Sequence, residues 1–413
     1  MRILYVTAHY PPDFTSGATL QLRRIAQHVA AAGHEVAVLS GAIARGLADG
    51  ETRAETVDGV TVHWIGTADR IDDRDDRNWL NPDATAYAEA VMDRWRPDVV
   101  HAHVLQTLGA GPLAAAARRG IVTVLTMHDF WWWCARLFLV DQDLQPCPLV
   151  TTDSDCACAR SAAWRRDRAA RLTAELAAVD QVLAPSAVFC DVLVANGLPA
   201  ERVEVDENDV DVDPASVPPS QHAAAQDDVN FVYVGGDHPL KGRDVMRGAA
   251  RRLRRHRGWR LTMYGTSRPA RRWRWRRVRF EPPYAPTETS AILGAADVLV
   301  IPSVARESFS LAAREALAAG LAVITSDCLG PTEVVDDGVN GLIVPLADDA
   351  GLAGAMDRLI GDRPLLERMR EAARAHPPEL RRPAEHAASL TARYQRLLGR
   401  RDLRHGFSTR PQQ

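Results

Sequence analysis

Residues 298–345 read VLVIPSVARESFSLAAREALAAGLAVITSDCLGPTEVVDDGVNGLIVP. The opening run, Val298 to Ile301, is short and wholly apolar, as a strand buried on both faces requires. A polar loop follows, and a helix is predicted to begin near Ser310. Apolar runs at residues 322–325 and 342–344 then read as further strands. Strand, loop, helix and strand in this order make the repeating unit of a parallel α/β sheet.

The same alternation extends in both directions. Strands are predicted at residues 231–235 and 261–264 in this half. In the first half they fall at residues 3–7, 34–39, 99–102, 122–127 and 182–184. Helices are predicted over residues 20–32, stopping at Gly33, and over 105–118, 164–178 and 188–195. Between the halves, DVDPASVPPSQHAAAQDD at residues 211–228 has the Pro-, Ala- and polar-rich composition of a linker. The expected organisation is a first α/β domain over 1–212, a linker over 213–228 and a second domain over 229–383. A final helix over 384–398 is expected to pack back on the first domain. In such sheets, ligands bind where loops leave the carboxyl ends of the strands.

Composition narrows the function. The chain has 413 residues, 46% hydrophobic and 25% charged, which is globular and long enough for two or three domains. Fifty basic residues face 53 acidic ones for a net charge of −3, so a general polyanion binder, nucleic acid included, is not expected. No run approaches the roughly 18 apolar residues of a membrane span. The start, MRILYVTAHYPPD, is too short and polar in its apolar part for a signal peptide. A cytoplasmic, soluble chain is the expectation. Among the 50 basic residues, Lys241 is the one lysine, in a sequence that otherwise uses arginine.

Two carboxylates stand eight apart, Glu307 in the loop and Glu315 in the helix. The N–H groups of Phe309, Ser310 and Leu311 would lie unpaired at the helix N-terminus, where an anion is favoured. One carboxylate can reach sugar hydroxyls, the helix end can hold phosphate, and the other carboxylate can reach a ribose. From spacing alone, a surface helix with ordinary acids reads equally well. Lys241, within VYVGGDHPLKGRDV, follows a strand and opens a helix, where a cation would face the same anion site.

This segment resembles the family-4 glycosyltransferases, which have the two-domain GT-B fold. Their pattern of Ser, Glu-x7-Glu, Ala-x3-Gly, Gly-x-x-Glu and Gly-x-x-Gly is matched by Ser303, Glu307, Glu315, Ala316, Gly320, Gly330, Glu333, Gly338 and Gly341. A Lys-Gly of the family is matched by Lys241 and Gly242, but Gly236 stands where an arginine is usual. The resemblance implies two Rossmann-like domains facing a cleft and transfer of a sugar from a nucleotide donor with retention. The acceptor would be a glycan, a lipid-linked molecule or a small molecule. Glu315 would hold the ribose, Glu307 the sugar hydroxyls, and Lys241 with the N–H groups of Phe309, Ser310 and Leu311 the diphosphate. In the first half, YPPDFTSGATLQLRRIA resembles the family's Pro-Pro…Gly-Gly loop, with Gly17 at the second glycine and Ser16 at the first. His128 matches the active-site histidine, and His103 ends a neighbouring strand. Asp209, in Asn208-Asp209-Val210-Asp211, replaces a glycine. No cofactor is implied for catalysis, since Lys241 and backbone dipoles can stabilise the leaving group.

Other features have more than one reading. Cys134, Cys147, Cys156 and Cys158 suggest a structural zinc, with buried thiols as the alternative. The basic, Trp-bearing stretch at 271–280 fits an exposed face or peripheral contact with a membrane surface. Gly109, Gly111 and Ala114 fit a dinucleotide fingerprint but are better explained by helix packing. DENDVDVD at 206–213 lacks the glycine and final glutamate of a calcium loop. A cyclitol-coupling enzyme of the same fold, or a nucleotide-sugar binder without activity, are the alternative functions.

Overall fold

A computed structural model of the protein describes residues 1–14, 16–67, 75–151, 156, 158, 161–210, 228–267 and 277–408. The chain divides into two compact units. The first comprises Met1–Leu137, Leu149–Asp209 and Arg381–Gln413; the second comprises Phe138–Pro148 and Val210–Leu380. The predicted linker lies almost wholly outside the described residues.

The first unit opens with strand β1 (Arg2–Thr7), helix α1 (Gly17–Ala31) and strand β2 (Glu35–Ala42). α1 begins earlier than its apolar pattern suggests because Ser16 caps it. The Thr19 N–H donates to Ser16 Oγ at 3.3 Å, and the Ser16 N–H donates to Thr19 Oγ1 at 2.8 Å. Gly17 is therefore the first residue of this helix, not part of the preceding loop. Strands β3 (Thr52–Val57) and β4 (Val60–Gly66) form an antiparallel hairpin, followed by helix α2 (Pro82–Trp95). Next come β5 (Val99–Ala102), α3 (Gly111–Arg118), β6 (Val122–Thr126), α4 (Ala162–Ala177), β7 (Gln181–Ala184), α5 (Ala187–Ala195) and β8 (Val203–Val205). The helix predicted over 105–118 thus starts only at Gly111. Thr107 and Gly109 adopt left-handed backbone, and Pro112 sits in the first turn. A side chain at Gly111 would overlap Thr85 of α2, which accounts for the glycine pattern by helix packing.

The strand order is β3-β4-β2-β1-β5-β6-β7-β8, parallel except for the β3 edge. Ile3 lies opposite both Val36 and Val99, which fixes the register at the centre. Order reverses between β1 and β5, the place where such sheets bind ligands.

The second unit contains β9 (Val229–Tyr233), α6 (Arg243–Arg252), β10 (Trp259–Tyr264), β11 (Val278–Glu281), α7 (Thr289–Gly294) and β12 (Val298–Ile301). It continues with α8 (Leu311–Ala318), β13 (Ala322–Ser326), β14 (Gly341–Val344), α9 (Asp349–Gly361) and α10 (Arg363–Ala375). Its sheet order, β11-β10-β9-β12-β13-β14, is the doubly wound order with its reversal between β9 and β12. Along β12, Val298 and Val300 enter one core cluster, while Leu299 and Ile301 enter the other. Both faces are buried, which is why this strand was legible as an unbroken apolar run.

Helix α11 (Pro383–Ser408) belongs to the first unit. Leu390 and Tyr394 on it are buried in one cluster with Ile3, Tyr5, Leu22 and Val29.

Candidate functional site

In the second unit, the two loops at the reversal point are 234–242, after β9, and 302–310, after β12. Gly242 makes their close approach possible. Its φ is +77°, and a Cβ there would overlap the Pro302 carbonyl. The Val304 and Ala305 N–H groups both donate to the Leu240 carbonyl, at 2.9 and 3.1 Å. Tyr233 supports the first loop from below, its hydroxyl donating to the Gly236 carbonyl at 3.0 Å.

These bonds bring Lys241 and Glu307 together. Lys241 Nζ donates to Glu307 Oε1 at 2.9 Å, and Ser303 Oγ donates to the same oxygen. The Glu307 backbone is fixed on both sides: its N–H donates to the Cys328 carbonyl and its carbonyl accepts from the Gly330 N–H, each at 2.8 Å. Lost hydration pulls the Lys241 ammonium down, but the charge and hydrogen bond of Glu307 hold it above its ordinary value. Lys241 is thus a cation at neutral pH, with two N–H groups beyond the one that Glu307 takes.

Ser310 is the cap of α8, accepting from the Ala313 N–H at 3.3 Å. The helix therefore starts at Leu311, and the N–H groups it presents are those of Leu311 and Ala312 rather than the Phe309–Leu311 set expected from sequence. Phe309 lies before the cap and is buried, with the Arg314 guanidinium 3.8 Å from its ring centre. Arg314 is itself buried and paired with Glu333, so the glutamate of the Gly-x-x-Glu motif anchors α8 to the turn after β13. Glu315 is the fifth residue of the helix, in its second turn. Tyr284 lies within reach of its charge; burial first, and then Glu315, push that phenol up to about 12.

At Gly236, where the family pattern has arginine, the backbone is left-handed, with φ +67°. The neighbouring Arg243 and His238, which could stand in for that arginine, are both engaged. Arg243 NH1 donates to the Asp237 carbonyl at 2.7 Å, and its NH2 pairs with Asp244 at 3.0 Å. His238 Nδ1 accepts the Leu240 N–H at 3.3 Å.

In the first unit, His103 Nδ1 and His128 Nε2 are 2.9 Å apart and their rings stack, 5.2 Å between centres. Burial pushes His128 down to about 4 and His103 well below its ordinary value. Both are neutral at pH 7, so one donates and the other accepts. His101 lies beside them, 4.4 Å from His103 between ring centres, bonded to Tyr394 and Thr126.

Sequence reasoning missed a buried ion cluster. His386 of α11 bonds Asp209 through Nδ1 at 2.9 Å and Asp206 through Nε2 at 3.0 Å. Arg24 of α1 donates to Asp209 at 2.6 Å, while Arg381 and Arg393 approach Asp206 at 2.8 and 3.2 Å. Asp209 thus serves as a charged anchor where the family pattern has a flexible glycine. The partners are 177 residues apart, and only the departure itself marked the position.

Cys134 and Cys147 are half-buried, Cys156 is exposed and Cys158 is buried. Among the described residues, no group of three or more His, Cys, Asp or Glu side chains is placed to hold a metal ion. Most of the basic stretch at 271–280 lies outside the described residues. Among the described residues, no helix is long and apolar enough to cross a membrane.

A family model described as "Glycosyl transferases group 1" matches residues 228–362, and one described as "Glycosyltransferase Family 4" matches residues 15–214. Glycogen synthase of Mycobacterium tuberculosis (strain ATCC 25618 / H37Rv) is 30% identical over 407 residues, covering 91% of this chain and 89% of that protein. D-inositol 3-phosphate glycosyltransferase of Nocardia farcinica is 31% identical over 60% of this chain, and the match spans only 62% of that relative's length. Among solved structures, sucrose-phosphate synthase from Thermosynechococcus elongatus superposes with a TM-score of 0.67 at 18% identity, over 96% of this chain and 99% of that one. HepE of Anabaena, solved in complex with UDP, gives 0.63 at 16% identity, over 96% of this chain and 100% of that one. These two likenesses show the GT-B fold. Two family models placed in succession, and a relative matched over most of its length, establish that the chain belongs to the glycosyltransferases of group 1 and family 4.

Proposed function

We propose that the protein moves a sugar from a nucleoside-diphosphate donor to a glycan, lipid-linked or small-molecule acceptor, with retention at the anomeric carbon. The observation that carries this is the Lys241–Glu307 pair at the reversal point of the second sheet, beside the N-terminus of α8. Retention follows from the resemblance. Lys241 and the α8 N–H groups take the diphosphate, whose negative charge grows as the bond to the sugar breaks. Both bonds to Glu307 use Oε1, which leaves Oε2 to accept from sugar hydroxyls. Glu315 holds the ribose, and His128, neutral, orients the sugar by a hydrogen bond rather than by charge. The UDP complex of HepE supports a nucleotide donor by analogy of fold alone.

Thermal-shift screening with UDP, GDP, ADP and dTDP, then with their sugars, tests the donor class; at least one is expected to raise the melting temperature. Glu315→Ala is expected to weaken nucleotide binding by about tenfold, the scale of one charge-assisted hydrogen bond. Glu307→Ala is expected chiefly to lower turnover. If both variants kept binding and turnover within about twofold of wild type, a change of under 0.5 kcal/mol, the assigned site would be wrong.

A further inference from the structure

The loops leaving β1, β4 and β5 in the first unit hold a set of polar side chains that the fold itself does not satisfy. His9 Nδ1, Thr67 Oγ1, His103 Nε2, Gln106 Nε2 and Thr107 Oγ1 are buried and, among the described residues, have no hydrogen-bond partner. Each of the five residues is 7% exposed or less. A buried polar atom left unpaired costs about 1–3 kcal/mol, so five along one sheet edge are a substantial standing cost.

The edge is continuous. The Ala8 N–H donates to the Val104 carbonyl at 2.6 Å and the His103 N–H to the Val6 carbonyl at 2.9 Å, which ties the exits of β1 and β5 together. A Cβ on Gly41 of β2 would meet the Ala8 carbonyl at 2.6 Å and Thr67 Oγ1 at 3.3 Å, so the β4 exit lies alongside. Thr107 holds a left-handed backbone at φ +74°, strain of the kind found at ligand sites. Phe14, 41% exposed, lies 4.8 Å from His9 between ring centres and adds an open apolar face.

We infer that the acceptor group received along this edge is an uncharged polyol, bound through its hydroxyls, and not a phosphorylated one; this rests on the glycosyltransferase reading above. The unsatisfied atoms are hydroxyl, amide and imidazole groups, which match alternating O–H donors and acceptors. Burial holds His9 and His103 below their ordinary values, so neither offers a cation. The charge that reaches His9 is the carboxylate of Asp13, which repels anions. His386 acts on His103 but is bonded between two carboxylates. Nearby arginines are committed too: Arg45 to Glu55 and Arg24 to Asp209.

The test uses the full chain and the donor found by screening. Transfer to glucose, maltotriose and myo-inositol is compared with transfer to glucose 6-phosphate and inositol 1-phosphate, reading nucleotide release and product mass. The best uncharged acceptor is expected to exceed its phosphorylated counterpart in kcat/KM by about tenfold or more. Thr67→Val is expected to raise the acceptor KM about tenfold while the donor KM stays fixed. Its melting temperature should hold or rise, because the hydroxyl it removes has no protein partner. A structural role for Thr67 would lower the melting temperature and leave the acceptor KM alone. Preference for the phosphorylated compounds, absence of transfer to every uncharged one, or an unchanged acceptor KM in Thr67→Val would overturn the inference. Nucleotide binding is measured separately, in wild type and Lys241→Ala. If it depends on Lys241 while uncharged acceptors fail, only this inference falls; if no nucleotide binds, the function proposed above falls with it.

Discussion

Lys241→Ala is expected to lower turnover at saturating donor by about 10²–10³, the scale of losing one preorganised electrostatic stabiliser. The ammonium is fixed before any ligand arrives. Glu307 holds Nζ at 2.9 Å, and the loop that carries it is locked to the β12 exit through Leu240 and Gly242. A diphosphate leaving group gains negative charge as the sugar departs, so a cation already in place stabilises the transition state more than the ground state. Lys241→Arg should recover only part of the loss, because a planar fork cannot replace a compact ammonium seated on one carboxylate oxygen. The fold should tolerate both changes. The Lys241 side chain is 47% exposed, and Ser303 still donates to Glu307 when the ammonium is gone. An ion pair with one exposed partner contributes only about 0–1 kcal/mol. Steady-state kinetics alongside melting curves decide the matter. Full activity in the alanine variant would assign the diphosphate to another group, and an unfolded variant would show that the pair is structural.

The sequence made the centre of each sheet legible and its margins illegible. β5 and β12 match their expected residues because a parallel strand buried on both faces is an uninterrupted apolar run. The β3 edge of the β3–β4 hairpin was missed because it reads TRAETV, largely exposed, with only Ala54 and Val57 apolar and no alternation to mark a strand. In the second unit, the loops holding Lys241 and Glu307 could be read because each follows such a buried strand. Their pairing could not, since it depends on Gly242 allowing the Pro302 carbonyl to approach. α1 begins at Gly17 rather than near residue 20 because Ser16 caps it, and a cap is set by one side chain rather than by periodicity. Charge partners distant in sequence left no local pattern at all.

One such set of partners supports the second large effect: His386→Leu is expected to destabilise the first unit by about 3–5 kcal/mol, the cost of breaking a buried ion cluster. The imidazole sits between Asp206 and Asp209, and with it gone those two carboxylates keep only Arg24, Arg381 and Arg393. Burial alone would lower the His386 pKa, but the hydrogen bonds and charge of the two aspartates raise it. The sign of the pH dependence follows. A histidine raised above its unfolded value of about 6.5 stabilises fully below that pH, and the contribution is lost as pH rises through the folded pKa. Wild type should therefore lose stability as pH rises above about 6.5, and His386→Leu should not show that slope. The acid limb belongs to other groups. Asp206 and Asp209 are held below their ordinary values, so their contribution disappears as pH falls below the usual carboxylate range. His101, His103 and His128, all lowered by burial, lose stability below about 6.5, where the unfolded chain takes up protons that the folded one refuses. Urea unfolding of both proteins from pH 3 to 9, followed by a probe in the first unit, separates the limbs. Equal stabilities within about 1 kcal/mol, or a loss above about pH 6.5 that survives the substitution, would show that the three arginines neutralise the two aspartates without the histidine.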